Sequence, residues 1–199
     1  DKPFVEELVT SDPALEKLSY AGLPDIRVIV FRGIPVMSMA RLPTKKSKSK
    51  ANLHQGAIGA GIDLVTGKIT NAIVAYQKKP IAHHPDTGAK LVGEQIPFWE
   101  QILKMAIASV KATGLGYVGV DIVIDKDKGP LVMEINKRPG MEIQNANNRP
   151  LLERLQSVET FLEEKKIDSM EEGLKTMFFL ESKNWHFTHD EGTHSMEDF

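Results

Sequence analysis

The feature that most constrains this chain is a pair of apolar runs, 118–124 and 131–136, that carry acidic and amide side chains. Asp121 interrupts the first run, and Glu134 and Asn136 lie in the second. The polar turn between the runs predicts an antiparallel hairpin that brings Asp121 near Glu134. Glu134 and Asn136 are two positions apart, so their side chains leave the same face of the strand. The hairpin therefore gathers three oxygen-bearing side chains.

Burying a carboxylate in a strand is costly unless a cation or hydrogen-bond donors compensate for it. Three oxygen ligands suit a hard cation such as Mg²⁺, which binds one or two carboxylates and completes its shell with water and phosphate. The alternative is that these side chains are polar groups at the sheet rim or partners of Arg27, Arg41 or Arg138. The pattern of an acid, then Glu-x-Asn, then Lys-Arg-Pro-Gly at 137–140 favours the metal interpretation and, with it, metal–nucleotide chemistry.

The other patterns predict an α+β chain rich in antiparallel strands. Two more hairpins are indicated by β-branched runs around Arg32-Gly33 and around Thr66-Gly67. Helical spacing starts at Pro97, includes Trp99 as a core residue and stops at Gly114. The predicted elements are strands at 25–31, 34–42, 56–65, 68–76, 117–124 and 130–136, and helices at 97–113, 151–162 and 170–178, the last capped by Asp168 or Ser169.

Composition excludes several classes of protein. The 25 Lys and Arg residues nearly balance the 27 Asp and Glu residues, which argues against a general nucleic-acid or membrane-surface protein. No run approaches the ~18 apolar residues of a membrane span. The absence of cysteine excludes a disulfide scaffold, a cysteine nucleophile and a thiolate metal site, and it fits a cytoplasmic protein.

The lysines and histidines leave several interpretations open. The four lysines of 45–50 indicate a solvated loop or a flap that grips substrate; a nucleic-acid patch is disfavoured, because no aromatic side chain lies among them. His54 is either a loop histidine bonded to backbone or a catalytic one. His83, His84 and the histidines of the tail are expected to be exposed.

A series of ordered motifs resembles those of the ATP-grasp superfamily over roughly residues 4 to 163. The motifs at 119–121, 129–136 and 138–140 are similar to the C-terminal half of an ATP-grasp ligase domain, and 51–56 resembles the substrate-side loop of RimK-type glutamate ligases. The segments 24–27, 41–44 and 142–147 narrow the resemblance to the alpha-L-glutamate ligase-like, RimK-related branch.

The resemblance implies an enzyme, an ATP-dependent carboxylate–amine ligase. Such enzymes use Mg-ATP to phosphorylate a carboxylate acceptor, and an amine, here glutamate or a related amino acid, then displaces the phosphate. Asp121, Glu134 and Asn136 would hold two magnesium ions that bridge the nucleotide phosphates.

The resemblance also assigns roles to residues around the nucleotide and substrate. Residues 4–9 resemble the hinge strand that meets the adenine. The implied nucleotide-binding residues are Glu6 or Glu7 on the ribose, Leu8 and Val9 in the hinge, and Leu131 and Met133 beneath the base. Arg27 and Arg41 would face phosphates or the acyl phosphate, with strand-surface salt bridges as the alternative. Asn52 would orient the reacting carboxylate, and Arg138 would anchor the substrate.

In this family the lobe that grips the α- and β-phosphates precedes the hinge strand. The resemblance thus implies that residues 1–165 are the hinge and C-terminal lobe, followed by a helix at 166–182 and a polar, flexible tail at 183–199. The N-terminal lobe is then expected to come from a longer protein or another chain, and this chain alone should bind Mg-ATP weakly and turn over poorly. The alternatives are a non-catalytic binding module of the same fold and a phosphotransferase on the same scaffold.

Overall fold

A computed structural model of the chain describes residues 7–74, 79–165 and 169–182. Seven strands form one antiparallel sheet in the order β5-β4-β3-β2-β1-β6-β7. The strands are β1 (Asp25–Phe31), β2 (Ile34–Leu42), β3 (Ile58–Ile62), β4 (Ile69–Val74), β5 (Lys79–Pro80), β6 (Tyr117–Asp125) and β7 (Gly129–Asn136). The helices are α1 (Pro13–Glu16), α2 (Trp99–Thr113), α3 (Glu142–Asn147), α4 (Leu151–Lys165) and α5 (Ser169–Ser182), with a 3₁₀ turn at Leu53–Gln55. The α+β class and the mainly antiparallel sheet flanked by helices are confirmed.

The three predicted hairpins form where the turn residues allow them. Arg32 and Gly33 adopt φ values of 50° and 82° between β1 and β2, the two left-handed positions that match strand twist in a tight hairpin. In the β6–β7 hairpin, Asp121 lies directly opposite Glu134. Met133 is an extra residue in β7, because Ile122 pairs with Val132.

The sheet has two unlike faces. The side chains of Val28, Ala40, Ala60 and Val120 share one face and are fully buried, beneath α2, α4 and α5. Trp99 is part of this core, and its indole Nε1 donates to the Leu64 carbonyl at 2.8 Å. The other face carries the charged residues of β1, β2 and β6, and α3 packs on it against β2, β3 and β4.

The structure differs from expectation at the start of α2 and at His84. Helix α2 begins at Trp99 and not at the predicted Pro97, because Phe98 between them has a left-handed φ of 57°. His84, expected to be exposed, is 1% exposed: its Nε2 lies 2.9 Å from the Pro43 carbonyl oxygen. The tail at 183–199, like Asp168, lies outside the described residues.

Candidate functional site

Two arginines and two aspartates form a compact cluster on the open face of the sheet. Arg27 pairs in register with Asp121 on one side, and Asp25 pairs in register with Arg41 on the other. Side chains of directly paired residues leave the same face. The cluster is therefore a product of the strand order, which places β1 between β2 and β6.

Each arginine of this cluster is bound to carboxylates in the ligand-free structure. Arg27 donates from Nε to Asp121 Oδ1 and from Nη2 to Asp121 Oδ2, both at 2.7 Å. Arg41 donates to both oxygens of Asp25, at 2.5 and 2.6 Å, and from Nη2 to Asp121 Oδ2 at 2.7 Å. The salt bridges considered as the alternative for Arg27 and Arg41 are thus present here, and the cluster's formal charges cancel.

Burial controls the electrostatics of this cluster. It raises the pKa of Asp25 from 3.8 to about 6, although hydrogen bonds and the charge of Arg41 act in the opposite direction. Burial alone would lower the pKa of the Arg41 guanidinium, but its bonds and charge interactions with Asp25 and Asp121 outweigh this effect, so that its pKa is raised. Arg41 therefore stays cationic, and Asp25 can take up a proton near pH 6.

The residues predicted to bind magnesium lie together at the β6–β7 end of the cluster. Asp121 Oδ2 already accepts from Arg27, Arg41 and, at 3.3 Å, from Asn136 Nδ2, whereas among the described residues Oδ1 accepts from Arg27 alone. A carboxylate oxygen has two acceptor positions, so Oδ1 retains one. Glu134 is exposed and forms no ion pair within the described ranges.

These residues fit a hard divalent cation. Asp121 faces Glu134 directly across the strand pair, and a cation between two opposed carboxylates relieves their repulsion. No group of three or more His, Cys, Asp or Glu side chains with metal-site geometry occurs in the part of the chain that the structure describes. Two carboxylates and an amide would therefore need phosphate or water oxygens to complete the shell, which is how Mg²⁺ binds with nucleotides.

A cavity of about 210 Å³ adjoins the arginines; we call it the arginine cavity. Its lining comprises Arg27, Met39, Arg41, Ala51, Asn52, Leu53, His54, Gly140 and Glu142. Three of the four residues expected to handle substrate are thus brought together. The fourth, Arg138, is exposed and lies two residues before Gly140.

Asn52 has a structural role in addition to its place in the cavity wall. Its side-chain oxygen accepts from the His54 backbone N–H at 3.0 Å and caps the 3₁₀ turn. Gly56 ends that turn with a φ of 103°. The Asn-x-His spacing therefore fixes the loop that borders the cavity, and both side chains remain exposed to a ligand.

Within the expected hinge, residues 7–9 form no strand, and Glu6 lies outside the described residues. The backbone of Thr10 and Asp12 bonds instead to the β6 end and the following turn, with Asp12 N–H donating to the Ile124 carbonyl at 2.9 Å. Glu7 accepts from Lys128 Nζ at 2.5 Å, and Leu8 is 87% exposed.

Leu131 and Met133, the two residues expected beneath the base, differ in their exposure. Leu131 pairs with Val123 and so lies on the face of Asp121, half-buried. Met133, the extra residue of the strand, is 53% exposed. The nucleotide roles of these residues and of Glu7 to Val9 stay predictions.

Sequence reasoning missed several residues of the site. Asp25 was part of a motif but not proposed as a site residue, although it is two positions from Arg27 and therefore on its face. Met39 and Glu142 join the cavity through contacts between distant segments, and His54, for which the sequence left a catalytic interpretation open, also lines it.

Helix α3 sits directly on β3 because two glycines leave room for it. A Cβ on Gly61 would lie 2.6 Å from the Ala146 carbonyl oxygen, and one on Gly59 would lie 3.2 Å from the Ala146 side chain. Asn71 Nδ2 donates to the same carbonyl at 2.8 Å. This close approach places Glu142, the first residue of α3, at the arginine cavity.

The chain is an ATP-grasp protein, because a family profile matches it over most of its length. More particularly, the chain belongs to the sugar-transfer associated ATP-grasp family, whose sequence profile matches residues 1–160.

The curated relatives are named as glutamate ligases. A probable alpha-L-glutamate ligase of Maridesulfovibrio salexigens is 29% identical over 127 residues, 64% of this chain and 30% of the relative. Probable alpha-L-glutamate ligase 1 of a Shewanella species (strain MR-4) is 46% identical over 50 residues, 25% of this chain and 16% of the relative. The similarity to alpha-L-glutamate ligases is confirmed, and the chain spans less than a third of the length of each of these two relatives.

Among solved structures, the ATP-grasp ligase PsnB in complex with precursor peptide PsnA2 and AMPPNP is similar at a TM-score of 0.39 and 14% identity. The match covers 74% of this chain and 34% of that one.

No helix within residues 7–74, 79–165 and 169–182 is both long and apolar enough to cross a membrane.

Proposed function

We propose that the chain is part of an ATP-dependent carboxylate–amine ligase that acts through an acyl phosphate. The observation that carries the proposal is the opposition of Asp121 and Glu134 across β6 and β7, next to a cavity lined by Arg27 and Arg41. Family membership and the names of the relatives support ATP-dependent ligation in general.

Asp121, Glu134 and Asn136 would hold the magnesium ions, two in the mechanism that we propose. Bound there, Mg²⁺ supplies charge neutralisation for the nucleotide phosphates. The chain's own contribution is a carboxylate, Asp121, that two guanidinium groups hold in place. A carboxylate held in this way loses little conformational freedom when it coordinates the ion.

Arg27 and Arg41 would stabilise the phosphoryl group and the acceptor carboxylate as they react. Asp25 and Asp121 hold the two guanidinium groups in place before substrate arrives, so the remaining N–H donors of these groups need little reorganisation when charge develops in the cavity. Asn52 would orient the acceptor carboxylate, and Arg138 would bind the substrate from the turn before Gly140. The amine then attacks the acyl carbon, and phosphate leaves.

The decisive experiment measures phosphate release and product mass with full-length protein, ATP, Mg²⁺ and a panel of amino acids and carboxylate acceptors. Glu134→Gln keeps the shape of an exposed side chain and removes its charge, so we expect amine-dependent phosphate release to fall about 100-fold or more. Asp121→Asn should have an effect at least as large. Glu159→Gln, the same change at an exposed position of α4, is the matched control.

The outcomes separate the alternatives. Full activity in both Glu134→Gln and Asp121→Asn contradicts the metal assignment. Phosphate transfer to an acceptor without any need for an amine indicates a phosphotransferase, and an absence of nucleotide binding in the full-length protein indicates a non-catalytic module.

A further inference from the structure

Among the residues that the structure describes, the wall of the arginine cavity has two side chains that can take up a proton, those of His54 and Glu142. The mechanism proposed above gives neither of them a task. Ligation to an amine nevertheless needs a proton acceptor. An amino group is mainly in its ammonium form at neutral pH, and an ammonium nitrogen has no free electron pair with which to attack. The wall of the cavity is therefore the place to look for a base.

The backbone of His54 is fixed, whereas its ring is not engaged. The His54 N–H donates to Asn52 Oδ1 at 3.0 Å, in the 3₁₀ turn that ends at Gly56. Thr44 Oγ1 donates to the Gly56 carbonyl at 3.0 Å and so ties the turn to the segment after β2. The ring is exposed, and neither of its nitrogens forms a hydrogen bond or ion pair within the described ranges. The imidazole is thus positioned by its backbone and available to a ligand.

His84 shows how a structural histidine is held in the same chain. Its side chain is buried, its Nε2 lies 2.9 Å from the Pro43 carbonyl oxygen, and its Nδ1 accepts from the Asp86 backbone N–H at 3.2 Å. Both ring nitrogens of His84 are therefore occupied. His54 differs in its exposure, in its unengaged ring and in its place at a cavity. The described contacts give no support to the interpretation of His54 as a loop histidine whose ring bonds to backbone.

The small size of the arginine cavity places His54 close to any group that reacts there. A cavity of about 210 Å³ is only a few atoms wide, so a group bound to Arg27 and Arg41 lies within a hydrogen bond, or one water molecule, of the other side chains of the wall. That reach is what a general base requires.

We propose that His54 is the general base of ligation, the group that accepts a proton from the attacking amine. The inference rests on the proposed function and adds a catalytic residue to it. An ammonium group loses two protons on its way to an amide. His54 accepts the first, which frees the electron pair of the nitrogen to form the bond to the acyl carbon. The bond from that carbon to the phosphate oxygen breaks, and phosphate leaves with the electron pair and takes up the second proton. Because the ring is exposed, His54 returns its proton to water.

Glu142 is the competing proton acceptor. It is half-buried, and its Oε2 accepts from Asn145 Nδ2 at 3.1 Å. A carboxylate is ordinarily a weak base at neutral pH, whereas the ordinary pKa of an imidazole lies close to neutrality, which suits a general base. A carboxylate is better suited to attract the ammonium group than to deprotonate it. Arg27 and Arg41, the other charged side chains of the wall, cannot accept a proton.

The test compares two nucleophiles with full-length protein, ATP, Mg²⁺ and the panel of carboxylate acceptors. The most active amino acid of the ligase assay is an ammonium ion at neutral pH, whereas hydroxylamine is mainly neutral there and traps acyl phosphates as hydroxamates. His54→Gln should lower formation of the amino-acid product about 100-fold and leave hydroxamate formation within about 2-fold of the unmodified protein. The hydroxamate reaction also shows that the variant is folded.

Two further variants complete the experiment. His83→Gln is the same change at an exposed histidine outside the cavity wall, and it should alter neither reaction. In His54→Ala, added imidazole should restore part of the amino-acid reaction, since a free base can replace the missing ring, whereas a purely structural role would not permit this rescue.

The outcomes separate this inference from the function on which it rests. Full amino-acid ligation in His54→Gln, or an equal loss of both reactions, contradicts the role of His54 as the base while hydroxamate formation by the unmodified protein still supports the ligase. A loss confined to the amino-acid reaction in Glu142→Gln, with His54→Gln unimpaired, assigns the proton to Glu142 instead. If the unmodified protein forms no hydroxamate with any acceptor, the acyl phosphate is refuted and the inference falls with it.

Discussion

Replacing Gly61 by alanine tests whether the direct seating of α3 on β3 contributes to stability. The added Cβ would lie 2.6 Å from the Ala146 carbonyl oxygen and 2.8 Å from the Asn147 Cα. Both contacts are with backbone atoms, so no side-chain rotation relieves them and α3 must move. Overpacking of this kind destabilises by about 1–3 kcal/mol, and loss of the Asn71 bond to Ala146 adds about 0.5–1.5 kcal/mol.

The gain from replacing a strand glycine offsets about 0.5–1 kcal/mol of this loss. A net destabilisation of about 2 kcal/mol corresponds to a fall in Tm of about 4–8 °C for a chain of this size. Thermal melting followed by circular dichroism measures it. Gly116→Ala is the matched control, because a Cβ there meets nothing within 4 Å, and it should leave Tm unchanged or raise it. A Gly61→Ala melt within about 1 °C of the unmodified protein would refute the reasoning.

Three further predictions concern the surroundings of the site. His84→Ala should speed tryptic cleavage within 45–50, since His84 anchors the start of that loop, whereas His83→Ala at the exposed neighbour should not; equal rates would contradict the anchoring role. The pKa of Asp25 is raised to about 6 in the folded protein, so between about pH 4 and 6 the folded protein binds more protons at Asp25 than the unfolded chain does. The contribution of Asp25 to the free energy of unfolding therefore declines as pH rises through that window. Asp25→Asn should remove this part of the slope in melts recorded across pH, and an unchanged slope would exclude Asp25 as its source. Gly119→Ala should destabilise by about 1–3 kcal/mol, because its Cβ would lie 2.6 Å from a proline of the 137–140 turn, and urea unfolding would measure it.

Local patterns were enough to predict the hairpins and the opposition of Asp121 and Glu134. Turn residues and alternating side chains act between neighbouring positions, and the β6–β7 connection is short. The partnership of Arg27 with Asp121 could not be predicted in the same way, because it depends on β1 pairing with a strand that begins 86 residues after β1 ends. The burial of His84 likewise depends on its contact with Pro43, 41 positions away.

The ion pairs of Asp121 connect the two parts of the proposed chemistry. Oδ2 accepts three donors, so a cation at Asp121 has to use Oδ1 or displace an arginine contact. In either case a bound cation would draw electron density from the carboxylate and so weaken its hydrogen bonds to Arg27 and Arg41, which lie in the cavity wall. Metal binding would then make the two guanidinium groups more available to phosphate and carboxylate oxygens. Arg27 and Arg41 should consequently bind a phosphate analogue more tightly with Mg²⁺ than without it, and this gain should be lost in Glu134→Gln. An affinity for the analogue that is the same with and without Mg²⁺ would show that the arginines and the metal site act independently.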